Sequence, residues 1–118
     1  MSKLEEILKK KEDRKIKLQT SLDSIVSQLK RVGALKIILF GSFAKGEVDV
    51  HSDLDLLVIM PATKSGKEWM KFIYEKVERG CASDIIAYNQ EEFEDKLPKS
   101  SFLRNILSFG KVIYEKTV

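Results

Sequence analysis

Residues 54–60, Leu-Asp-Leu-Leu-Val-Ile-Met, are apolar at every position but one, and the run ends at Pro61. Such a stretch suits a buried strand, and the proline closes it because a proline nitrogen donates nothing to a sheet ladder. Residues 35–40, Leu-Lys-Ile-Ile-Leu-Phe, are apolar and rich in β-branched side chains, and they stop at Gly41. A third strand is expected at 83–88, Ser-Asp-Ile-Ile-Ala-Tyr, and a short strand or extended segment at 111–115.

Between and around these runs the period changes to that of helices. Leu4, Ile7, Leu8, Leu18, Leu22, Ile25, Val26, Leu29 and Val32 recur at three- and four-residue steps, which predicts a helix over 3–31 with a break allowed at its charged middle and an end at Gly33. At 1.5 Å per residue it would be about 43 Å long and would overhang a small core, an arrangement that suits packing on a partner, the same chain or another. A helical turn at 42–45 and a loop over 46–52 follow the first strand. Trp69, Met70, Ile73 and Val77 predict a helix over 67–78, with Gly80 as its stop. Residues 90–97 form a short helix, and 100–110 another with serine at its start and glycine past its end.

A chain of 118 residues with 43% apolar and 33% charged side chains has room for one domain, here 1–118, divided into an N-terminal helix (1–33) and a core (34–118). The single cysteine, Cys81, can form no intramolecular bridge. The first residues lack a signal-peptide core, and no apolar run reaches the roughly 18 to 20 residues of a membrane span. A cytoplasmic protein with no membrane role is therefore expected. The net charge of +3 is concentrated in residues 9–17, Lys-Lys-Lys-Glu-Asp-Arg-Lys-Ile-Lys. That run is expected to be the solvated face of a helix in preference to a track for nucleic-acid phosphates.

Two aspartates open the strand at 54–60. Asp53 and Asp55 stand at i and i+2, so in a strand their side chains leave from one face. Carboxylates held together repel and raise each other's proton affinity unless a cation lies between them, and a hard ion such as Mg²⁺ meets that need. Asp84 opens the 83–88 strand as Asp55 opens the earlier one. If the strands are neighbours, three carboxylates converge at one end of the sheet, an arrangement able to hold two ions about 3.5 to 4 Å apart. Gly41 lets backbone approach a ligand, the amides after it favour an anion, Ser42 adds a hydroxyl donor and Lys45 a positive charge. Phosphate beside paired metals implies a nucleoside triphosphate.

The ordered set of an apolar strand, Gly41-Ser42, ten intervening residues, Asp53-x-Asp55 and a later strand-leading Asp84 resembles the signature of the nucleotidyltransferases related to the DNA polymerase beta catalytic core, in particular the minimal (MNT) domains. The resemblance implies an α+β nucleotidyltransferase fold, a small mixed sheet flanked by helices with a long N-terminal helix added. It implies that Gly41 and Ser42 hold the triphosphate, with Lys45 at a position where a basic residue is common. It also implies that Asp53, Asp55 and Asp84 ligate two Mg²⁺ (or Mn²⁺) ions, Asp84 on the acceptor side. Minimal domains of this kind work as antitoxins paired with an all-helical HEPN protein, and some transfer AMP from ATP to a tyrosine of that toxin. The expected activity is thus transfer of a nucleoside monophosphate, AMP from ATP or another NTP, to a hydroxyl.

A second reading is a catalytically silent antitoxin that blocks a HEPN partner by contact; a third is a transferase acting on RNA through residues 9–17. Several residues carry a plainer expectation. His51, Glu47 and Asp49 belong to solvent and Cys81 to the core. Trp69 is expected to pack in the core, and packing explains Tyr74 and Tyr88 as well as base stacking does.

Overall fold

In the computed structural model, which describes residues 2–49 and 51–117, the apolar runs become the strands of one sheet. They are β1 (Lys36–Phe40), β2 (Leu54–Met60), β3 (Ser83–Asn89) and β4 (Lys111–Glu115), in the spatial order β3-β2-β1-β4. β1 is antiparallel to both β2 and β4, whereas β2 and β3 run parallel, so the sheet is mixed as expected. The helices are α1 (Lys3–Val32), α2 (Gly41–Ala44), α3 (Gly66–Lys76), α4 (Gln90–Lys96), a 3-10 turn at Leu97–Lys99 and α5 (Ser101–Phe109).

The two central strands are apolar on both faces because both faces are covered. On one, Ile37 and Leu39 of β1 and Leu56 and Val58 of β2 meet Leu18, Leu22, Ile25 and Leu29 of α1 and Trp69 and Ile73 of α3. On the other, Ile38, Leu57 and Ile59 meet Phe93 of α4 and Leu103 and Ile106 of α5. Alternation along a strand then fixes which face every other residue takes. Asp55 shares its parity with Leu57 and Ile59, and Asp84 with Ile86, so both acids belong to the face covered by α4 and α5.

α1 runs unbroken through its charged middle. The Ser2 hydroxyl accepts the Glu5 N–H at 3.1 Å, and Gly33, at φ 112°, ends the helix with its own N–H on the Leu29 and Lys30 carbonyls. The helix is buried only from Leu18 onward, while Leu4, Ile7, Leu8 and Ile16 are exposed. Its first turns account for the molecule's long dimension, 54 Å against 30 and 25 Å. α3 stops two residues earlier than its periodicity predicts. The Gln28 side chain of α1 takes the Glu78 N–H at 2.9 Å and gives its own amide to the Glu78 carbonyl at 2.6 Å, holding the chain out of the helix just beyond the buried Val77. Among the described residues no helix is long and apolar enough to cross a membrane.

Candidate active site

The end of the sheet where β1 finishes and β2 and β3 begin gathers the unusual residues. Pairing sets Phe40 opposite Asp55, and Asp55 beside Asp84 on the parallel neighbour, so the two carboxylates leave adjacent strands on one face. Asp55 is half-buried and Asp84 exposed. Burial pushes the Asp55 carboxyl above its ordinary range, and the charges of Asp84 and then Asp53 push it further the same way.

Gly41 makes that position of Asp55 sterically available. It lies at φ +79°, and a Cβ there would overlap the Asp55 carboxylate and come within 3.3 Å of its Cβ. From Gly41 the chain enters the single turn of α2. The Ser42 carbonyl accepts the N–H groups of Lys45 and Glu47 at 3.1 and 2.9 Å, and the Ser42 hydroxyl lies 3.5 Å from that of Ser52. Ser52 is buried, and its hydroxyl accepts the Asp49 N–H at 2.9 Å. Lys45 is exposed at the end of α2. The Gly-Ser turn and the loop before Asp53 are thus one hydrogen-bonded unit.

Asp53 lies just before β2 and its carboxylate faces a cation from elsewhere. Arg14 of α1 donates through Nε and Nη2 to the Ser52 carbonyl at 2.9 and 2.6 Å, and its Nη2 stands 3.3 Å from Asp53 Oδ1. The Arg14 side chain is 18% exposed, against 47% for that of Asp53. Nothing in the basic run singled out Arg14, whose neighbours there are solvated as expected; one arginine among five lysines was the available signal, since a planar fork suits a carbonyl and a carboxylate together. Arg14→Ala is expected to cost about 1–2 kcal/mol, the worth of charged hydrogen bonds in a half-buried setting. Urea denaturation would read this as a lowered midpoint, with faster amide exchange at Asp49, Ser52 and Asp53.

The donor chemistry fits hard divalent cations: oxygen ligands only, and like charges crowded enough to raise a carboxyl's proton affinity. The arrangement is open. Among the described residues no three acidic, histidine or cysteine side chains stand as a ready metal-holding group; Asp53 is paired with Arg14, and Asp55 and Asp84 stand side by side on β2 and β3. The register brings Asp55 and Asp84 together, whereas Asp53 is turned to Arg14. His51 is exposed in the same loop, its N–H on Asp49 Oδ1 at 2.7 Å.

The model of the nucleotidyltransferase domain family matches residues 21–113. Two putative protein adenylyltransferases of Methanocaldococcus jannaschii resemble the chain. One is 32% identical over 84 residues, covering 67% of this chain and 77% of the relative. The other is 31% identical over 75 residues, covering 64% and 74%. A crystal structure of a putative nucleotidyltransferase from Sulfolobus solfataricus superposes with a TM-score of 0.64 over 91% of this chain and 88% of that one; at 14% identity the likeness is one of fold.

Proposed function

Because the chain belongs to the nucleotidyltransferase domain family, we propose that it transfers AMP from ATP to a hydroxyl group of a protein, with Asp53, Asp55 and Asp84 at the reacting phosphate and Gly41, Ser42 and Lys45 along the triphosphate. The decisive observation is the register that sets Asp55 beside Asp84 with Gly41 pressed against the Asp55 carboxylate. Like charges are costly there for stability, so their presence points to a cationic complement that arrives with substrate.

Asp55 and Asp84, joined by Asp53 once it leaves Arg14, are the residues that would hold two Mg²⁺ or Mn²⁺ ions. What such ions supply when bound is charge neutralisation of the phosphates and a more acidic acceptor hydroxyl. The chain's own part is positioning. Gly41 leaves room for the Asp55 carboxylate at the start of the turn, the Ser42 hydroxyl donates to a phosphate oxygen, and Lys45 offsets the charge of the tail. The acceptor oxygen bonds to the α-phosphorus as the bond from that phosphorus to the bridging oxygen breaks. Pyrophosphate leaves with the electron pair, and the hydroxyl proton passes to Asp84, the most exposed side of the pair, and on to water.

The proposed acceptor is a tyrosine of an all-helical HEPN-type toxin, to which the chain would be the antitoxin. The exposed Leu4, Ile7 and Leu8 on the free half of α1 support docking of that kind, whether to the toxin or to a second copy. The test is mass analysis of the partner co-purified from the native host, where an added AMP is expected with wild type and none with Asp55→Asn. A silent antitoxin is favoured by one observation, the Arg14–Asp53 contact that leaves the acids short of a three-ligand group; it predicts full neutralisation by Asp55→Asn. The exposed basic residues of α1 are the support for action on RNA, which predicts steep salt dependence.

Acid should weaken substrate uptake. Protons compete for Asp55, whose carboxyl holds them to higher pH than an ordinary aspartate does. Affinity for MgATP is therefore expected to fall as pH drops through that raised value, where a surface aspartate would still be ionised. Calorimetric titration across pH 4 to 8, on the order of the range over which carboxylates titrate, reads the midpoint; in the metal-free protein, NMR titration of the Asp55 carboxyl should show Asp84→Asn lowering its proton affinity by removing a repelling charge.

A further inference from the structure

We propose that the cleft between α5 and the end of β1 seats the nucleobase of the nucleoside triphosphate, with Phe102 and Phe109 as its stacking walls and Asn105 reading its edge. The proposal rests on the nucleotidyl-transfer reading above and adds to it the part of the substrate that the acids and the Gly-Ser turn do not touch.

The cleft has a volume of about 440 Å³ and is lined by Phe40, Gly41, Lys45, Phe102, Asn105 and Phe109, among others. That size is in the range of small-ligand sites. Its position is the first argument. Gly41 and Lys45 belong both to its wall and to the turn beside the acids, and Phe40, the cross-strand partner of Asp55, shows the cleft and the carboxylate to share one face of the sheet. A triphosphate on the turn thus has its nucleoside end within reach of the cleft.

The lining is the second. Phe102, Asn105, Ile106 and Phe109 follow the i, i+3, i+4, i+7 spacing of one stripe of α5. Leu103 and Ile106 secure that helix in the core, yet Phe102 is 51% and Phe109 74% exposed. Burial within this chain does not explain two aromatic rings left in water beside a catalytic turn, whereas a planar ring bound between them does. Phe102 is already braced edge-on against Phe40, centroids 6.1 Å apart at 86°. The amide of Asn105 offers a donor and an acceptor side by side, matching the N7 and N6 edge of adenine and mismatching the two acceptors of guanine.

The other aromatic residues near the sheet are engaged. Trp69 is buried with its Nε1–H on the Pro61 carbonyl at 2.9 Å. The Tyr74 hydroxyl accepts the Ile85 N–H at 2.9 Å beneath the Arg79 guanidinium, and Lys96 lies 5.2 Å from the Tyr88 ring centre.

The test is calorimetric titration of the full chain with ATP, GTP and tripolyphosphate, each with Mg²⁺. Phe102→Ala is expected to weaken ATP roughly tenfold, the scale of one base–aromatic stack, while tripolyphosphate affinity stays within about twofold. Phe109→Ala, at the more exposed position, serves as a second variant with no folding risk and should act in the same direction. Asn105→Leu should erase any preference of ATP over GTP. Unchanged ATP binding in all three variants, or wild type that binds ATP no tighter than tripolyphosphate, would overturn the base site and leave the transferase reading standing. Wild type that takes up neither ligand would overturn both. If the phenylalanine variants lose a co-purifying protein and keep ATP, the stripe is a protein-docking face and the proposal is wrong.

Discussion

Replacing Asp55 by asparagine is expected to cut nucleotide transfer by about a thousandfold or more while leaving the protein as stable as wild type, or a few degrees more so. The catalytic loss follows from where Asp55 stands. It is the central carboxylate of the three, paired in register with Asp84, two residues from Asp53, and backed by Gly41. An amide of the same shape removes the charge that would hold a metal at the reacting phosphate. A thousandfold corresponds to about 4 kcal/mol at 1.36 kcal/mol per decade, a reasonable share of the barrier for a metal-dependent transfer.

The stability effect has the opposite sign for the same reason. Burial and two neighbouring acids raise the folded-state affinity of Asp55 for a proton above the unfolded value of 3.8. The metal-free fold therefore gains from a protonated Asp55. That gain is complete below the unfolded value and is lost as pH rises through the raised folded one, so at neutral pH the ionised group is a burden. Partial exposure screens it, which keeps the relief from Asp55→Asn to about 1 kcal/mol or less. Thermal denaturation without divalent cations should show the variant's advantage at pH 7 shrinking toward pH 4, near the ordinary aspartate value, and adding Mg²⁺ with ATP should stabilise wild type alone. A variant that melts well below wild type at pH 7 would mean that Asp55 is a structural residue and that the raised proton affinity has been misassigned.

Much of this site was legible because it hangs on strand ends. The run from Leu54 to Met60 has the same bounds in sequence and structure, and once it is a strand, Asp55 must open it on a definite face. Whether Asp84 lies next to it depended on β2 and β3 being neighbours, which no local pattern encodes; their parallel pairing is a product of the helices packed across the sheet. The apolar positions of α1 show the limit from the other side. Leu4, Ile7 and Leu8 carry the same period as Leu18, Leu22 and Ile25, and only the latter find a sheet to cover. Periodicity reports a face and stays silent on what meets it. Arg14 and Phe102 escaped notice for a related reason. Arg14 lies in a run whose charge predicts a solvated helix face, and Phe102 in a helix marked by its serine start and glycine end; neither signal distinguishes one side chain from its neighbours.

Gly41→Ala is expected to carry a large structural cost for a single methyl group. Two effects add. At φ +79° a non-glycine residue is strained by about 1–2 kcal/mol. In addition, the new Cβ would occupy the space of an Asp55 oxygen and press on its Cγ at 3.0 Å and Cβ at 3.3 Å. Asp55 cannot retreat far, because its backbone is held between β1 and β3. The carboxylate must then rotate away from Gly41, or the turn of α2 must shift and carry Ser42 with it. Either outcome should lower stability by roughly 2–4 kcal/mol and abolish MgATP binding. The two contributions separate in a double-mutant cycle. Asp55→Ala removes the carboxylate that the methyl group strikes, so in that background Gly41→Ala should cost only the backbone strain and part of the contact with Cβ. A coupling of at least about 1 kcal/mol is expected in urea unfolding. Strict additivity would show that Gly41 serves the turn alone, with no steric hold on Asp55.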